Sequence, residues 1–238
     1  MTELLFRDDP YLRQSVATVT EVTAEGGIVL DRSLFYPTSG GQPGDAGHLS
    51  WDGGQIDIAT TVKTDGIANL LLPAEPVALP SVGQEVTQKL NWDRRYRHMR
   101  MHTALHLLSV VIPLPVSGGA IAPDKSRLDF DMPEAPEDKQ ALEDDLNRLI
   151  ACDMDVTAEW ITDAALDAQP DLVKTMSVQP PRGTGQIRLI RIGVGAETAD
   201  LQPCGGTHVA NTSEIGTVRL GKIQKKGRQN RRVYLHLE

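Results

Sequence analysis

The pattern of apolar residues changes near Leu90, and this change divides the chain into two regions of different structure. The first region holds short alternating or β-branched runs such as Val16–Thr20, separated by the Gly, Pro and Asp residues that are typical of turns. From Asn91 to Ile112 the apolar residues recur at helical spacing. We therefore predict a small β-barrel domain over residues 1–90 and a second domain over residues 91–238.

The second region combines helices with strands, so the chain as a whole is predicted to be α+β. Pro136 to Asp153 shows an amphipathic helical pattern, with leucines on one face and acids on the other. The last two strand-like runs are joined by a turn at Lys226–Gln229, which predicts an antiparallel sheet. The strand-like runs of this region are Val156–Ile161, Ile187–Ile192, Gly216–Ile223 and Arg231–Leu237.

The composition is that of an ordinary folded protein. With 238 residues, 40% of them hydrophobic, the chain can bury a sizeable core. No apolar run approaches the ~20 residues of a bilayer-spanning helix, and the N-terminal segment lacks a basic stretch followed by an apolar one. Cys152 and Cys204 form at most one disulfide, a poor framework for secretion. We expect a cytoplasmic protein without a membrane partner, in which one cysteine has a metal-binding or catalytic role.

The net charge of −8 conceals an uneven distribution. Residues 129–171 carry 14 acidic but only two basic side chains, whereas basic residues gather near the C-terminus. A basic cluster on an acidic chain favours a polyanion such as nucleic acid, because phosphate contacts dominate sequence-independent affinity. An ordinary solvated hairpin is the alternative. The candidate phosphate contacts are Lys222, Lys225, Lys226, Arg228, Arg231 and Arg232, followed by Arg94, Arg95 and Arg97.

Four potential metal ligands occur as two pairs. His102 and His106 lie four residues apart in the predicted helix, which places both imidazoles on one face. Cys204 and His208 flank a Gly-Gly-Thr turn at the same spacing. One thiolate and three imidazoles suit a tetrahedral zinc ion, whereas core histidines and a small buried thiol are the alternative. Thr103 stands where zinc-protease helices hold a glutamate base, so an activated ester is a better candidate substrate than an amide.

A glycine-rich motif spans Phe35–Gly47 in the predicted barrel. Its hydroxyls, its glycines and the amide of Gln42 could approach a ligand at backbone distance. The same residues could instead form a tight turn with a bulge. The composition favours the turn.

Three motifs together resemble those of one family in order and spacing. They are the glycine-rich motif Phe35–Gly47, HTALH at His102–His106 and PCGGTH at Pro203–His208. The chain resembles, over essentially its whole length, the medium-length AlaX-type alanyl-tRNA editing proteins. These are free-standing relatives of the editing domain of alanyl-tRNA synthetase. The resemblance implies hydrolysis of the ester that joins a wrong amino acid, serine or sometimes glycine, to the acceptor end of alanine tRNA.

The resemblance also implies roles for individual residues. One Zn²⁺ per chain would be held by the two ligand pairs. We expect the protein to be a monomer or a weak dimer. With four protein ligands, the ion would organise the pocket or exchange a ligand. Val116–Gly119 departs from the synthetase pattern, because it lacks the Gln that often follows a Val-Ser pair there. The implied zinc ligands are His102, His106, Cys204 and His208, and the implied pocket residues are Thr103, Thr38, Ser39 and Gln42.

Two other functions stay open. The chain could be a non-catalytic, zinc-stabilised RNA-binding module in which the four ligands only hold the fold. It could also edit mischarged threonine tRNA, because a similar module occurs in threonyl-tRNA synthetases. The glycine-rich barrel motif favours alanine.

Overall fold

A computed structural model describes residues 2–176 and 185–238. The chain divides into two compact units, Met1–Arg97 and His98–Glu238. The predicted α+β class, the small barrel and the antiparallel sheets are confirmed, while the domain division at residue 90 stays a prediction. Among the described helices, none has the length and apolar character needed to cross a membrane.

Residues of the first unit form short strands, most of which close into a barrel. The strands are β1 (Glu3–Leu4), β2 (Gln14–Val22), β3 (Ile28–Leu30), β4 (Arg32–Ser33), β5 (Gly47–Trp51), β6 (Gly54–Thr64), β7 (Ile67–Pro73) and β8 (Glu85–Leu90). The barrel order is β2-β3-β7-β6-β5-β8, and β8 pairs with β2 to close it. Because successive side chains of a strand point to opposite faces, its apolar residues meet in one aliphatic core around Leu30, Phe35 and Leu71.

The glycine-rich motif forms a tight turn, as its composition predicts. Ser39 and Gln42 exchange backbone hydrogen bonds of 3.1 and 2.9 Å. Between them, Gly40 and Gly41 have φ angles of 56° and 83°. Residues with a side chain rarely adopt two successive positive φ angles, so glycine is required at both positions.

A buried ion pair lies beneath this turn, at the start of helix α1 (Trp92–Val111). Arg95 and Asp45 are each 1% exposed, and Nε of Arg95 lies 3.0 and 2.9 Å from the two carboxylate oxygens of Asp45. Arg95 also donates to the carbonyls of Pro10 and Leu34. The guanidinium of Arg95 therefore has its hydrogen-bond partners inside the first unit. Arg95 is not available to a phosphate, which corrects the nucleic-acid prediction at this position.

The described part of the second unit contains two antiparallel sheets and further helices. Its elements are β9 (Val116–Ala120), β10 (Lys125–Asp131), α2 (Lys139–Ile150), β11 (Val156–Ile161), α3 (Asp163–Asp167), β12 (Ile187–Ile192), β13 (Asp200–Pro203), β14 (Val218–Lys225) and β15 (Asn230–Leu237). One sheet has the order β14-β15-β10-β9, and the other has the order β11-β12-β13. Short 3₁₀ helices lie at Leu5–Arg7, Pro170–Leu172, Gly195–Glu197 and Thr212–Ile215.

Several of these elements differ from the sequence pattern. Helix α2 begins at Lys139 because the side chain of Asp138 caps it by accepting from the backbone N–H of Ala141. Strands β9, β10 and β13 are absent from the prediction. Strand β9 contains two glycines and β13 ends in proline, which lowers their strand propensity. These two strands form because β10 and β12, respectively, pair with them.

A candidate metal centre

The structure brings His102, His106, Cys204 and His208 together, and their ligand atoms all lie within 4.8 Å of one another. Sγ of Cys204 is 3.5 Å from Nε2 of His102 and 3.3 Å from Nε2 of His208. Around a tetrahedral zinc ion, bonds of ~2.3 Å to sulfur and ~2.0–2.1 Å to nitrogen place these atoms ~3.5 Å apart. The four side chains therefore have the chemistry and the spacing to hold a metal ion.

The loop that carries Cys204 is fixed by contacts of its backbone. Cys204 follows strand β13 directly, and its backbone N–H donates to the carbonyl of Arg188 on β12. The buried guanidinium of Arg188 donates in return to the carbonyls of Cys204 and Gly206, at 3.0 and 2.9 Å. The backbone N–H of Gly206 points at Sγ of Cys204. These contacts fix the position of the thiol.

The electrostatic surroundings favour the thiolate form of Cys204. Burial alone raises the pKa of a thiol, but the neighbouring imidazole of His102 and the hydrogen bonds from His102 and His106 hold the pKa of Cys204 well below its usual value. Burial and the neighbouring His102 keep the pKa of His208 well below its usual value, so its imidazole is neutral. A thiolate and a neutral imidazole are the forms in which these side chains bind metal ions.

Asp200 orients His106 from outside the cluster. Its Oδ2 lies 2.9 Å from Nδ1 of His106, its side chain is fully buried, and Lys174 and Gln202 also donate to it. Burial lowers the pKa of His106, yet the hydrogen bond to Asp200 and the neighbouring Cys204 raise it to about 9. Burial raises the pKa of Asp200, but His106 and Lys174 bring it down to about 2. Asp200 is thus ionised, and Nδ1 of His106 carries a proton, which leaves Nε2 for a metal ion.

Thr103 orients His208 in the way that Asp200 orients His106. Its hydroxyl donates to the carbonyl of Met99 at 3.0 Å and lies 3.1 Å from Nδ1 of His208. The backbone N–H of Val209 donates to the same oxygen at 3.3 Å. Because the hydroxyl proton points to Met99, Nδ1 of His208 is the donor to Thr103, and Nε2 of His208 faces the cluster. Thr103 is fully buried, and these contacts occupy its hydroxyl.

The residues of the barrel motif are engaged in the turn. Thr38 donates to the carbonyl of Thr61 at 3.2 Å and accepts from the backbone N–H of Gly44 at 2.8 Å. The side chain of Gln42 is fully buried. Ser39 is approached by the amine of Lys63 at 3.4 Å. Within the first unit, the hydroxyl of Thr38 therefore stabilises the turn.

The predicted phosphate contacts near the C-terminus fall into two groups. Lys222, Lys225, Lys226 and Arg228 are exposed on β14 and the turn that follows it. Arg231 is 8% exposed and donates to the carbonyls of Gly227, Asn230 and Pro133, so it packs inside the hairpin. Arg232 is paired with Asp129 through bonds of 2.8 and 2.9 Å. Arg231 thus stabilises the hairpin, and Arg232 stabilises the pairing of β15 with β10.

Sequence reasoning missed Lys174, Asp200 and Gln202. A signal for two of them exists, because Asp200, Gln202 and Cys204 alternate along one extended segment and so share a face. Lys174 has no such signal, since only the fold brings it to Asp200.

Comparisons with known proteins find relatives over the whole chain. A family described as "Threonyl and Alanyl tRNA synthetase second additional domain" matches residues 187–234, and "tRNA synthetases class II (A)" matches residues 8–94. The alanyl-tRNA editing protein AlaX-M of Methanosarcina acetivorans is 36% identical over 100% of this chain and 99% of its own length. AlaX-M of Saccharolobus solfataricus is 32% identical over 98% of both chains. The alanine–tRNA ligase of Pyrobaculum neutrophilum is 31% identical over 94% of this chain and 25% of its own length.

We predict that Cys204→Ala removes most of the bound zinc, because it deletes the anionic ligand of the cluster. The measurement is zinc per chain by elemental analysis after dialysis against a weak chelator. Cys152→Ala is the matched control, since Cys152 is exposed and lies outside the cluster. Wild type and Cys152→Ala should each retain one zinc ion per chain. Equal zinc in all three proteins would contradict the assignment.

We predict that Asp200→Asn weakens zinc binding about 10- to 100-fold, the usual effect of removing a carboxylate that orients a histidine ligand. The measurement is competition with a chromophoric chelator at fixed pH. Asp171→Asn makes the same chemical change at an exposed carboxylate and should leave the zinc affinity unchanged. Equal affinities for Asp200→Asn and this control would exclude an orienting role.

Proposed function

Because this chain belongs to the AlaX-M family of alanyl-tRNA editing proteins, we propose that it hydrolyses mischarged alanine tRNA in trans. The products are the free amino acid and intact tRNA, and the substrate is Ser-tRNA(Ala), with Gly-tRNA(Ala) second. The observation that carries the proposal is the group of one partly buried cysteine and three buried histidines, in a chain that matches its editing relatives from end to end.

A zinc ion bound by His102, His106, Cys204 and His208 would supply positive charge beside the ester. Among the residues that the structure describes, Asp200 is the carboxylate that contacts the cluster, and a pKa of about 2 makes it a weak base at neutral pH. This supports a substrate bond that is already reactive, such as an aminoacyl ester.

We propose that Thr103 acts by positioning His208, which modifies the catalytic role expected from the resemblance. Its hydroxyl is engaged by Met99, His208 and Val209, and its side chain is fully buried. A group in these surroundings acts on the substrate through the ligand that it orients.

Selectivity for serine over alanine follows because polar groups of the site lack a partner when alanine is bound. A site that pairs with the seryl hydroxyl leaves its own polar groups unpaired with alanine, and such sites discriminate by ~10⁴–10⁵. Thr38 and Gln42 stay proposed contributors through the turn that they shape. Gly40 at the tip of this turn has open space on its side-chain side, so the backbone there is accessible.

The proposed partner is the acceptor end of alanine tRNA. The exposed cations Lys222, Lys225, Lys226 and Arg228 suit contacts with its phosphates. We propose that the protein works in the cytoplasm, where aminoacyl-tRNA is used, as a monomer or weak dimer.

We predict that the zinc-loaded protein releases serine rapidly from Ser-tRNA(Ala) and leaves Ala-tRNA(Ala) intact. The measurement is loss of the radiolabelled amino acid from each tRNA with zinc-quantified protein. The double variant Cys204→Ala, His208→Ala should be inactive. A protein that holds one zinc ion and binds tRNA but releases no serine would be a binding module. Preference for serine on threonine tRNA would identify a threonine-system editor.

We predict that Thr103→Val lowers the zinc affinity and kcat about 10-fold each, because His208 loses its hydrogen-bond partner. KM for the tRNA should stay unchanged, and full zinc occupancy should be reached at excess zinc. Thr103→Ser keeps the hydroxyl and should restore both quantities. A fall in kcat/KM at unchanged zinc affinity would indicate direct contact with the substrate. Wild-type kinetics in Thr103→Val would remove this residue from the mechanism.

A further inference from the structure

The sheet formed by β14, β15, β10 and β9 has one face buried and one face accessible. On β15, Val233 and Leu235 are 0% exposed, while Arg232, Tyr234 and His236 alternate with them and are partly exposed. Successive side chains of a strand lie on opposite faces, so these three residues mark the outward face.

The pairing of strands extends this face across the sheet. Lys125 lies opposite His236, Arg127 opposite Tyr234 and Asp129 opposite Arg232. Residues directly opposite in an antiparallel pair share a face. On the other side of β15, Arg219 of β14 also lies opposite His236. We call this surface the basic sheet face, and its residues are Lys125, Arg127, Asp129, Arg219, Arg232, Tyr234 and His236.

The basic sheet face carries four cations, and strand alternation places two carboxylates, Asp129 and Asp131, on the same side of β10. Asp129 is neutralised by Arg127 at 2.6 Å and Arg232 at 2.8 Å. Lys125 is exposed, and the side chain of Arg219 is 53% exposed beside Glu238 at the edge. The face is therefore positive on a chain whose net charge is −8.

The pKa values of two groups on this face reflect the positive charge around them. The hydrogen bond from Arg232 lowers the pKa of Tyr234, and the charges of Arg232, Lys125 and Lys226 lower it further. Burial lowers the pKa of His236, and the charges of Arg219 and Lys125 add to this effect. The charges that act on these two rings are all positive, as an anion-binding surface requires.

An aromatic ring lies at the centre of the basic sheet face. The amine of Lys125 sits 4.4 Å from the ring centroid of Tyr234. Exposed contacts of this kind are weak, so a nucleobase can replace the amine over the ring while the amine moves to a phosphate.

A glycine leaves the space beside this ring. Gly221 lies in the bulge of β14, between Leu220 and Ile223. A Cβ at Gly221 would come within 2.7 Å of Nε2 of His236 and 3.0 Å of Cβ of Tyr234. Only glycine at this position allows the side chains of Tyr234 and His236 to keep their places.

We propose that the basic sheet face binds the RNA of the substrate tRNA, with phosphates at Lys125 and Arg219 and an unpaired base stacked on Tyr234. An aromatic residue surrounded by cations on an open sheet is the usual way in which proteins hold unpaired nucleotides. This inference rests on the proposed function, which supplies tRNA as the partner, and it adds residues outside the C-terminal hairpin.

The test is binding of uncharged alanine tRNA to the full-length, zinc-loaded protein, followed by fluorescence anisotropy at several salt concentrations. Lys125→Glu should raise Kd at least 5-fold and reduce the slope of log K against log salt by about 1. Tyr234→Ala should raise Kd about 5-fold or more at an unchanged slope, because stacking releases no counterions. Tyr234→Phe keeps the ring and should bind as wild type.

The controls separate this surface from general charge and from folding. Arg148→Glu makes the same charge reversal at an exposed residue of α2 and should change Kd less than 2-fold. Thermal unfolding and zinc content should match wild type in every variant. Wild-type affinity in both Lys125→Glu and Tyr234→Ala would overturn the proposal and leave the face for an acidic protein partner. Equal weakening by Arg148→Glu would overturn it too.

Failure of this proposal is distinguishable from failure of the proposed function. The binding assay uses uncharged tRNA and requires no hydrolysis. A protein that deacylates Ser-tRNA(Ala) but binds normally after both substitutions refutes the basic sheet face alone. A protein that binds tRNA through Lys125 and Tyr234 but releases no serine refutes the editing function alone.

Discussion

The packing of one partly buried thiol and three buried imidazoles into one cluster is the constraint on which the second unit depends. Polar groups removed from water destabilise a fold unless each has a partner. Here Asp200 binds His106, Thr103 binds His208 and the backbone of Gly206 points at Cys204. Since His106 lies on α1 and Asp200 on β13, the contact that orients this ligand also holds the helix to this strand.

These outer contacts give the histidines different protonation behaviour. His106 has a pKa raised to about 9, whereas the pKa of His208 is well below the usual value. A metal ion must therefore displace a proton from His106 below the raised pKa of this residue, but not from the neutral His208. The carboxylate that raises the pKa of His106 also fixes which ring nitrogen faces the ion. Asp200 thus orients the ring of His106 correctly, and it also makes protons compete more strongly with the metal ion for this ligand.

The sequence predicts elements whose pattern is local and misses those that depend on pairing. Helix α1 and the four ligands follow from helical spacing and from two matching four-residue intervals. Strand β9 could not be predicted, because its two glycines have low strand propensity and its register comes from β10. Lys174 reaches Asp200 across 26 residues of sequence, a contact that no local pattern encodes.

The basic residues show the same limit most clearly. The run from Lys222 to Arg232 looks like one charged surface in the sequence, but strand alternation turns Arg231 inward, where carbonyl groups bind it. Lys125 and Arg127 lie almost a hundred residues earlier, yet antiparallel pairing with β15 places them on the outward face. Charge counted along a chain therefore predicts that a polyanion binds, while the register of the sheet decides which cations meet it. A surface assembled in this way can be changed without disturbing the metal ligands, because its side chains lie on β10, β14 and β15, whereas the ligands lie on α1 and in the segment after β13.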